Sequence, residues 1–380
     1  MARGIYVGVG GTARKAKKIY VGVDGVARKV RKIYVGVGGV ARLTWSGYEF
    51  SRHTGNVTGT TEPNARNMGS ASNGAYAVFA GGLGQYGTFF SVDAYNASLV
   101  KTTAPSLHVA RALAHGTSIG NYAFFPANGM GTAYGDAYNQ SLTRTLVPQD
   151  GNYTGQCAQQ NSLTNPAFAV VGFGTYRMYP YTKQGSTDII DTSLVKTTVY
   201  ASDNAGVGTA CIGGNVLLAG GSIKGNPAEP YSDTVYSVNP SYVRTQIASL
   251  SSPAKMTAGI CNDSFALFVG NNKLDNPCII EGYNASLVKL TPFTFGNATI
   301  NTFTAIDGYI QHPEFAAFQT IGLINLPYYA YDTSLIRHES PSIGSFGNSP
   351  GHRGAFIGDY MILAGGNNAS ANVVAFNTAG

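Results

Sequence analysis

The hydrophobic pattern of this chain repeats at two periods. Residues 1–42 carry a 14-residue unit seen as Ile5-Tyr-Val-Gly-Val, Ile19-Tyr-Val-Gly-Val and Ile33-Tyr-Val-Gly-Val. The remainder carries a looser unit of about 47 residues, and self-similarity at a fixed spacing means that one supersecondary unit leans on its neighbours for a core. Fourteen residues have room for one hairpin. Gly10-Gly11, Asp24-Gly25 and Gly38-Gly39 separate the β-branched stretches. Such pairs suit type I′ turns, whose two central residues both take φ > 0. The alternation changes phase between Val26/Val30 and Ile33/Val35/Val37. A bulge or second reversal is therefore expected near Arg31-Lys32, and near Lys17-Lys18 one unit earlier.

The long unit is marked by a turn of the pattern aromatic, Asn/Asp, any, Ser, Leu. It reads Tyr95-Asn-Ala-Ser-Leu-Val-Lys and, identically, Tyr283-Asn-Ala-Ser-Leu-Val-Lys. Related copies place the turn residue at Asn96, Asn139, Asp191, Asn239, Asn284, Asp332 and Asn377, with intervals of 43, 52, 48, 45, 48 and 45. Asn and Asp suit a first turn position because the side chain bonds the backbone two residues on. Before each turn comes an apolar run, most of them ending in Gly, such as Tyr76-Ala-Val-Phe-Ala-Gly-Gly, Val216-Leu-Leu-Ala-Gly-Gly or Met361-Ile-Leu-Ala-Gly-Gly. Such runs read as buried strands. A strand of small residues precedes each run, and a polar, Thr-rich strand follows each turn. Four strands per unit, small residues innermost, predict propeller blades.

The expected fold class is therefore all-β: a seven-bladed β-propeller over residues 45–380, with a small N-terminal β-hairpin repeat module over residues 1–44. The last unit has three strands before the chain ends. Residues 45–60 are expected to supply its outer strand and so close the ring.

Charge divides the chain the same way. The net charge is +6. Residues 1–42 hold ten Lys/Arg against one acid, Asp24, giving +9 and leaving −3 for the rest. Charged residues are only 12% of the chain, yet 24 Tyr, 18 Phe and 49 Gly argue for short strands and tight turns rather than disorder. The first ten residues lack the apolar stretch of a secretory signal. No segment approaches 18 consecutive apolar residues, so no membrane insertion is expected. Cys157, Cys211, Cys261 and Cys278 have no CxxC spacing and read as scattered core residues of a protein made in a reducing cytosol.

The Gly-Gly strand, the Tyr-Asn turn and the four-strand unit resemble kelch-type repeats. The departures are a single Trp, Trp45, outside the repeats, and units without the Gly pair. Basic Ile-Tyr-Val-Gly-Val repeats followed by such a propeller resemble virion-associated proteins of bacteriophages and prophages of Gram-positive hosts. The second resemblance implies a virion location after synthesis in the bacterial host cytoplasm.

Little in the sequence points to catalysis. The six His residues show no HxH or HxxxH spacing, and the Ser-X-Asp-X-Gly-X-Thr-Trp turns of sialidase propellers are missing. No metal site and no cofactor is expected, and an enzyme is not expected. A candidate ligand or receptor contact is the stretch Tyr176, Arg177, Tyr179, Tyr181 and Lys183, whose aromatic rings and cations suit a sugar or a protein hot spot. The other reading packs these tyrosines between blades. Lys17, Lys18, Arg28, Lys29, Arg31 and Lys32 are candidate anchoring residues for an acidic surface of other virion proteins or copies of the chain. Their alternative is a solvated rim that discourages edge pairing. Nucleic acid is an unlikely partner, since no recognised motif accompanies the charge.

The expected function is that of a phage virion structural protein, a head or tail fibre-like component. Its basic repeats anchor it and its propeller binds a host-surface glycan or protein. The alternatives are a shell decoration protein without receptor binding and a polysaccharide-acting enzyme.

Overall fold

The structure is a computed structural model. It describes residues 6–378 apart from 10–11, 16–18, 24–25, 31, 38–39, 47–50, 63–64, 85, 112–114, 128–133, 150–156, 173–184, 203, 206, 224–230, 272–278, 291–305, 321–328, 334, 336, 340–352 and 366–372. Among the described residues there is no helix, and so none long and apolar enough to cross a membrane.

The 14-residue units form hairpins. β1 (Tyr6–Val9) pairs with β2 (Thr12–Lys15), β3 (Ile19–Val23) with β4 (Val26–Val30), and β5 (Lys32–Val37) with β6 (Val40–Ser46). Each pair is its own two-stranded sheet. The turn residues themselves lie outside the described residues, but the strands stop and restart on either side of them. Where a bulge or second reversal is expected, β4 ends at Val30 and β5 opens at Lys32 in a different sheet, and Arg31 itself lies outside the described residues. The bulge is elsewhere: the register of the third hairpin slips between Ile33 and Tyr34, opposite Trp45 and Leu43. β6 therefore runs to Ser46, past the expected boundary at residue 44, and Trp45 belongs to a hairpin rather than to the closing strand.

The long units form antiparallel sheets. After the short β7 (Ser51–Arg52), the first contains β8 (Gly69–Ser72) and β9 (Tyr76–Ala80). A small hairpin of β10 (Leu83–Gly84) and β11 (Gly87–Thr88) intervenes before β12 (Val92–Asn96) and β13 (Lys101–Ala104). The second is β14 (Thr117–Ile119), β15 (Tyr122–Phe125), β16 (Tyr134–Tyr138) and β17 (Arg144–Pro148). The third is β18 (Cys157–Gln160), β19 (Phe168–Gly172), β20 (Gly185–Asp191) and β21 (Lys196–Ser202). Then β22 (Asn204–Ala205) leads to β23 (Gly208–Ile212) and β24 (Asn215–Ala219). β25 (Ser222–Ile223) pairs back to β22, and β26 (Val235–Val238) and β27 (Arg244–Ile247) complete the fourth sheet. The fifth has β28 (Lys255–Cys261), β29 (Phe265–Asn271) and β30 (Ile279–Asn284). The sixth is β31 (Ile306–Gln311), β32 (Phe315–Thr320), β33 (Tyr329–Asp332) and β34 (Arg337–Glu339). The last is β35 (Arg353–Ile357), β36 (Tyr360–Ala364) and β37 (Val373–Asn377), with β7 as its fourth strand.

The sheets make an all-β propeller. Its innermost strands touch in a closed circuit, β8 to β14, β18, β23, β28, β31, β35 and back to β8. Among the described residues six sheets have four strands, where the sequence led us to expect four in every unit. The exception is the fifth. What is described of a fourth strand there is the Tyr283–Lys289 bridge and a bond from Leu290 N to Gly282 O; the next residues, 291–305, lie outside the described residues. The first and last strands of the propeller meet in the last sheet, where Arg52 pairs with Phe376 and Ser51 with Asn377. The amide of His53 adds a bond to Ala375 O.

The core lies between neighbouring sheets. Val78 and Ala80 of one sheet pack with Phe125 and Tyr138 of the next, all of them buried. Each such large apolar side chain contributes about 1.5–3 kcal/mol on burial. Asparagines in the turns after the inner strands tie blade to blade. Asn73 Nδ2 donates to Asn139 O, Asn161 Nδ2 to Gly214 O and Asn262 Nδ2 to Tyr331 O. The Ser-Leu turns behave as their composition demands. Asn96 Oδ1 accepts from the amides of Ser98 and Val100, and the same pair of bonds recurs at Asn139, Asp191, Asn239 and Asn284.

Candidate functional site

The antiparallel order of each blade sends its first and third turns to one face of the propeller. The connections from second to third strand and from blade to blade go to the other face. Two places deserve weighing as functional sites: the axis, where the inner strands converge, and this second face.

The inner strands carry small residues because they approach closely. A Cβ on Gly116 would sit 2.2 Å from Ser70 O of the neighbouring blade. Where they meet is a cavity of about 50 Å³ with Ser70, His115, Thr117, Gln159, Gln311 and Arg353 in its wall. That is room for one or two waters or a small ion, far below the 300–1,000 Å³ of a typical organic-ligand pocket. The axis is also bridged. Gln159 Nε2 donates to Gln311 Oε1 at 2.9 Å and Gln311 Nε2 returns a bond to Gln159 Oε1 at 3.0 Å. This reciprocal amide pair joins β18 to β31. Other wall groups bond each other: Thr117 Oγ1 donates to Gln160 Oε1 and Ser70 Oγ to Gly354 O, both at 2.8 Å. Withdrawal from water, with the charge of Arg353 adding to it, pushes the His115 imidazole down to about 3. His115 is thus neutral at neutral pH. It stands in the cavity wall.

A buried ionic cluster lies in the second blade. Asp136 accepts from Arg111 Nη2 at 2.6 Å, from His108 Nδ1 at 2.8 Å and from the His108 amide at 3.2 Å. Arg111 Nη2 also donates to Phe125 O. Such a triad invites a catalytic reading, but its position repeats. Asp93, Asp136, Asp188 and Glu281 each stand three residues before a turn Asn or Asp. Each faces a base five residues after that turn: Lys101 at 3.5 Å, Arg144 at 3.8 Å, Lys196 at 3.9 Å and Lys289 at 2.7 Å. That acid–base pair, present in four blades, is architectural, and His108 and Arg111 are additions to it in the second blade. The sequence carried this signal, an acid and a base at fixed offsets from the turn. Among the described residues no cluster of His, Cys, Asp and Glu could hold a metal.

The second face carries exposed apolar side chains on the first two blades. Tyr86, at the tip of the β10–β11 hairpin, is 95% exposed, Phe90 54% and Tyr134 43%, with Val109 beside them in the chain between blades. Phe90 and Tyr134 are linked through the chain between the blades: Leu107 N donates to Phe90 O, and the His108 ring meets Tyr134 edge-on at 6.1 Å. Tyr86 stands in Gly84-Gln-Tyr-Gly87, an aromatic residue lifted by a glycine turn, which was legible in the sequence.

The contact residues expected from the sequence, Tyr176, Arg177, Tyr179, Tyr181 and Lys183, lie outside the described residues. The segment joins β19 to β20, so its anchoring strand ends are on this second face. Of the expected anchoring residues, Lys17, Lys18 and Arg31 also lie outside the described residues. Arg28 and Lys29 are in β4, paired with Val21 and Tyr20, and Lys32 opens β5 opposite Ser46. Cys211 and Cys261, expected as scattered core residues, come together with their sulfurs 2.9 Å apart.

No protein-family model matches the sequence, and no curated protein matches it. Solved structures share the fold. The selenomethionine-substituted virginiamycin B lyase from Staphylococcus aureus is similar with a TM-score of 0.52 at 13% identity, over 84% of this chain and 97% of that one. A streptogramin B lyase structure is similar with a TM-score of 0.52 at 10% identity, over 84% and 95%. At these identities the likeness is one of fold.

Proposed function

We propose that this protein is a non-enzymatic adhesion component of a bacteriophage virion, held by its basic hairpins and displaying the propeller toward a host-surface glycan or protein. The observation that carries the reading is the contrast between the axis and the second face. The axis is bridged by Gln159 and Gln311 and leaves a space too small for an organic substrate. The second face presents Tyr86, Phe90 and Tyr134 to solvent, the residue types that bind sugar faces or serve as protein hot spots. The hairpin module is architecturally separate and holds the positive charge. We infer in addition that the three-stranded sheet is a reduced blade, which makes the propeller seven-bladed and kelch-like in its repeat.

The test is binding of the purified protein to host envelope and to a glycan array. Saturable binding that Tyr86→Ala with Phe90→Ala weakens at least tenfold supports adhesion. No binding at high protein concentration sinks it and favours a decoration protein. A second reading comes from the fold shared with streptogramin B lyases. Incubation with a streptogramin B antibiotic decides it, because loss of the intact compound over the no-protein control would make the protein an enzyme. Release of reducing ends from host polysaccharide would do the same for a polysaccharide-acting enzyme.

A further inference from the structure

We propose that Cys211 and Cys261 are a disulfide-forming pair, able to join two neighbouring inner strands of the propeller covalently when the chain folds in an oxidising medium. The inference is independent of the function proposed above.

The two residues lie 50 positions apart on β23 and β28, the inner strands of adjacent sheets. Their Sγ atoms are 2.9 Å apart, and the Cys211 amide lies 3.4 Å from Cys261 Sγ. Both Cβ–Sγ bonds therefore already point at the shared space, the orientation that a cross-link requires. A second observation shows that the strands themselves are close enough. Two residues earlier on each strand, a Cβ added to Gly259 would stand 2.2 Å from Thr209 O. Backbone and sulfur contacts thus agree along the same pair of strands. The pair also touches the amide bridge of the axis, since Cys261 Sγ lies 3.4 Å from Gln311 Oε1.

Both thiols are buried. Burial raises the Cys211 thiol, which keeps it protonated and unreactive once the propeller has closed. The cross-link therefore forms before closure. The oxidant is a small-molecule disulfide. One cysteine thiolate attacks it, forming a mixed disulfide and releasing one small thiolate. The second cysteine thiolate then attacks the protein sulfur of that mixed disulfide and releases the other. Two protein thiols lose two protons and two electrons, and one small disulfide becomes two small thiols.

The experiment compares two treatments of the full chain with a mixture of oxidised and reduced glutathione. One sample is treated after folding, and the other is unfolded in urea and refolded in the mixture. After alkylation, non-reducing peptide mapping reads each cysteine. The expected result is a peptide pair joined through Cys211 and Cys261, about 2 Da lighter than the two thiols, in the refolded sample alone. The joined protein should melt several degrees above the same protein after reduction, as expected for closing a long loop. Alkylated Cys211 and Cys261 in the refolded sample, or a joined form that melts lower, would overturn the proposal. So would a preference for pairs involving Cys157 or Cys278.

Discussion

Arg244 lies over the ring of Tyr236, its Cζ 4.5 Å from the centroid. In four other blades the same two positions hold a base and a carboxylate. The position before the turn faces the base diagonally across two antiparallel strands, as the pairing of Val238 with Arg244 and Tyr236 with Gln246 shows. A carboxylate and an aromatic face both attract a cation, so the blade keeps its cross-strand contact while changing its chemistry. A double-mutant cycle on Tyr236→Leu and Arg244→Gln should give a coupling of about 0.5–1 kcal/mol, the range for an exposed cation–π pair. A coupling indistinguishable from zero would mean that the stacking does no more than fill space.

The Ser-Leu turns place a bulky residue where glycine is usual. Leu99, Leu142, Leu194, Tyr242, Leu287 and Leu335 all have φ between 58° and 64°. The left-handed conformation costs a non-glycine residue about 1–2 kcal/mol, and packing offsets that cost. Leu287, for example, packs against the cluster around Leu250 and Tyr283. Leu287→Ala should lose the packing and keep the strain, whereas Leu287→Gly loses both. Urea unfolding should then rank the Gly variant above the Ala variant by about 0.5–1 kcal/mol, the reverse of the usual order. An Ala variant that is the more stable would show that the turn carries no strain.

Much of this fold was legible because its signals are local. Turn residues such as Asn96 and Asn284, and buried runs such as Tyr76–Ala80, declare themselves through their own backbone chemistry. The three N-terminal hairpins follow from their Gly-Gly and Asp-Gly turns in the same way. What the sequence hid depends on neighbours in space. Nothing near Gln159 names Gln311, 152 positions away, as its partner, and Cys211 and Cys261 sit in unremarkable apolar surroundings. The bulge at Thr44, the extra residue between Leu43 and Trp45 in the third hairpin, was hidden too. Tyr86 stands alone in its loop and gives a weaker compositional signal than the run of tyrosines between Tyr176 and Tyr181.

His115 gives a pH signature. Its imidazole is held near 3 in the folded protein, below the ordinary 6.5. A depressed histidine leaves the unfolded chain binding the extra proton, so its contribution to stability is complete above pH 6.5 and is lost progressively as the pH falls toward 3. Carboxylates also titrate in this window, so the comparison is with His115→Gln. Denaturant midpoints measured from pH 7.5 to 4 should fall less steeply for the variant. Parallel curves would place the imidazole in water rather than in the cavity wall.

Closure by β7 makes a prediction about truncation. Ser51 and Arg52 give the last blade its outer strand, and His53 N bonds Ala375 O. The hairpins end at Ser46 and belong to separate two-stranded sheets. Removing residues 1–46 should therefore leave the melting temperature of the propeller nearly unchanged. Removing residues 1–53 uncovers β37, whose Val373-Val-Ala-Phe-Asn377 would become an unpaired apolar edge, the kind that pairs with other chains. The longer truncation should melt several degrees lower and aggregate as concentration rises, a difference that light scattering and a thermal melt can read. Equal behaviour of the two truncations would mean that the propeller does not depend on joining its two ends.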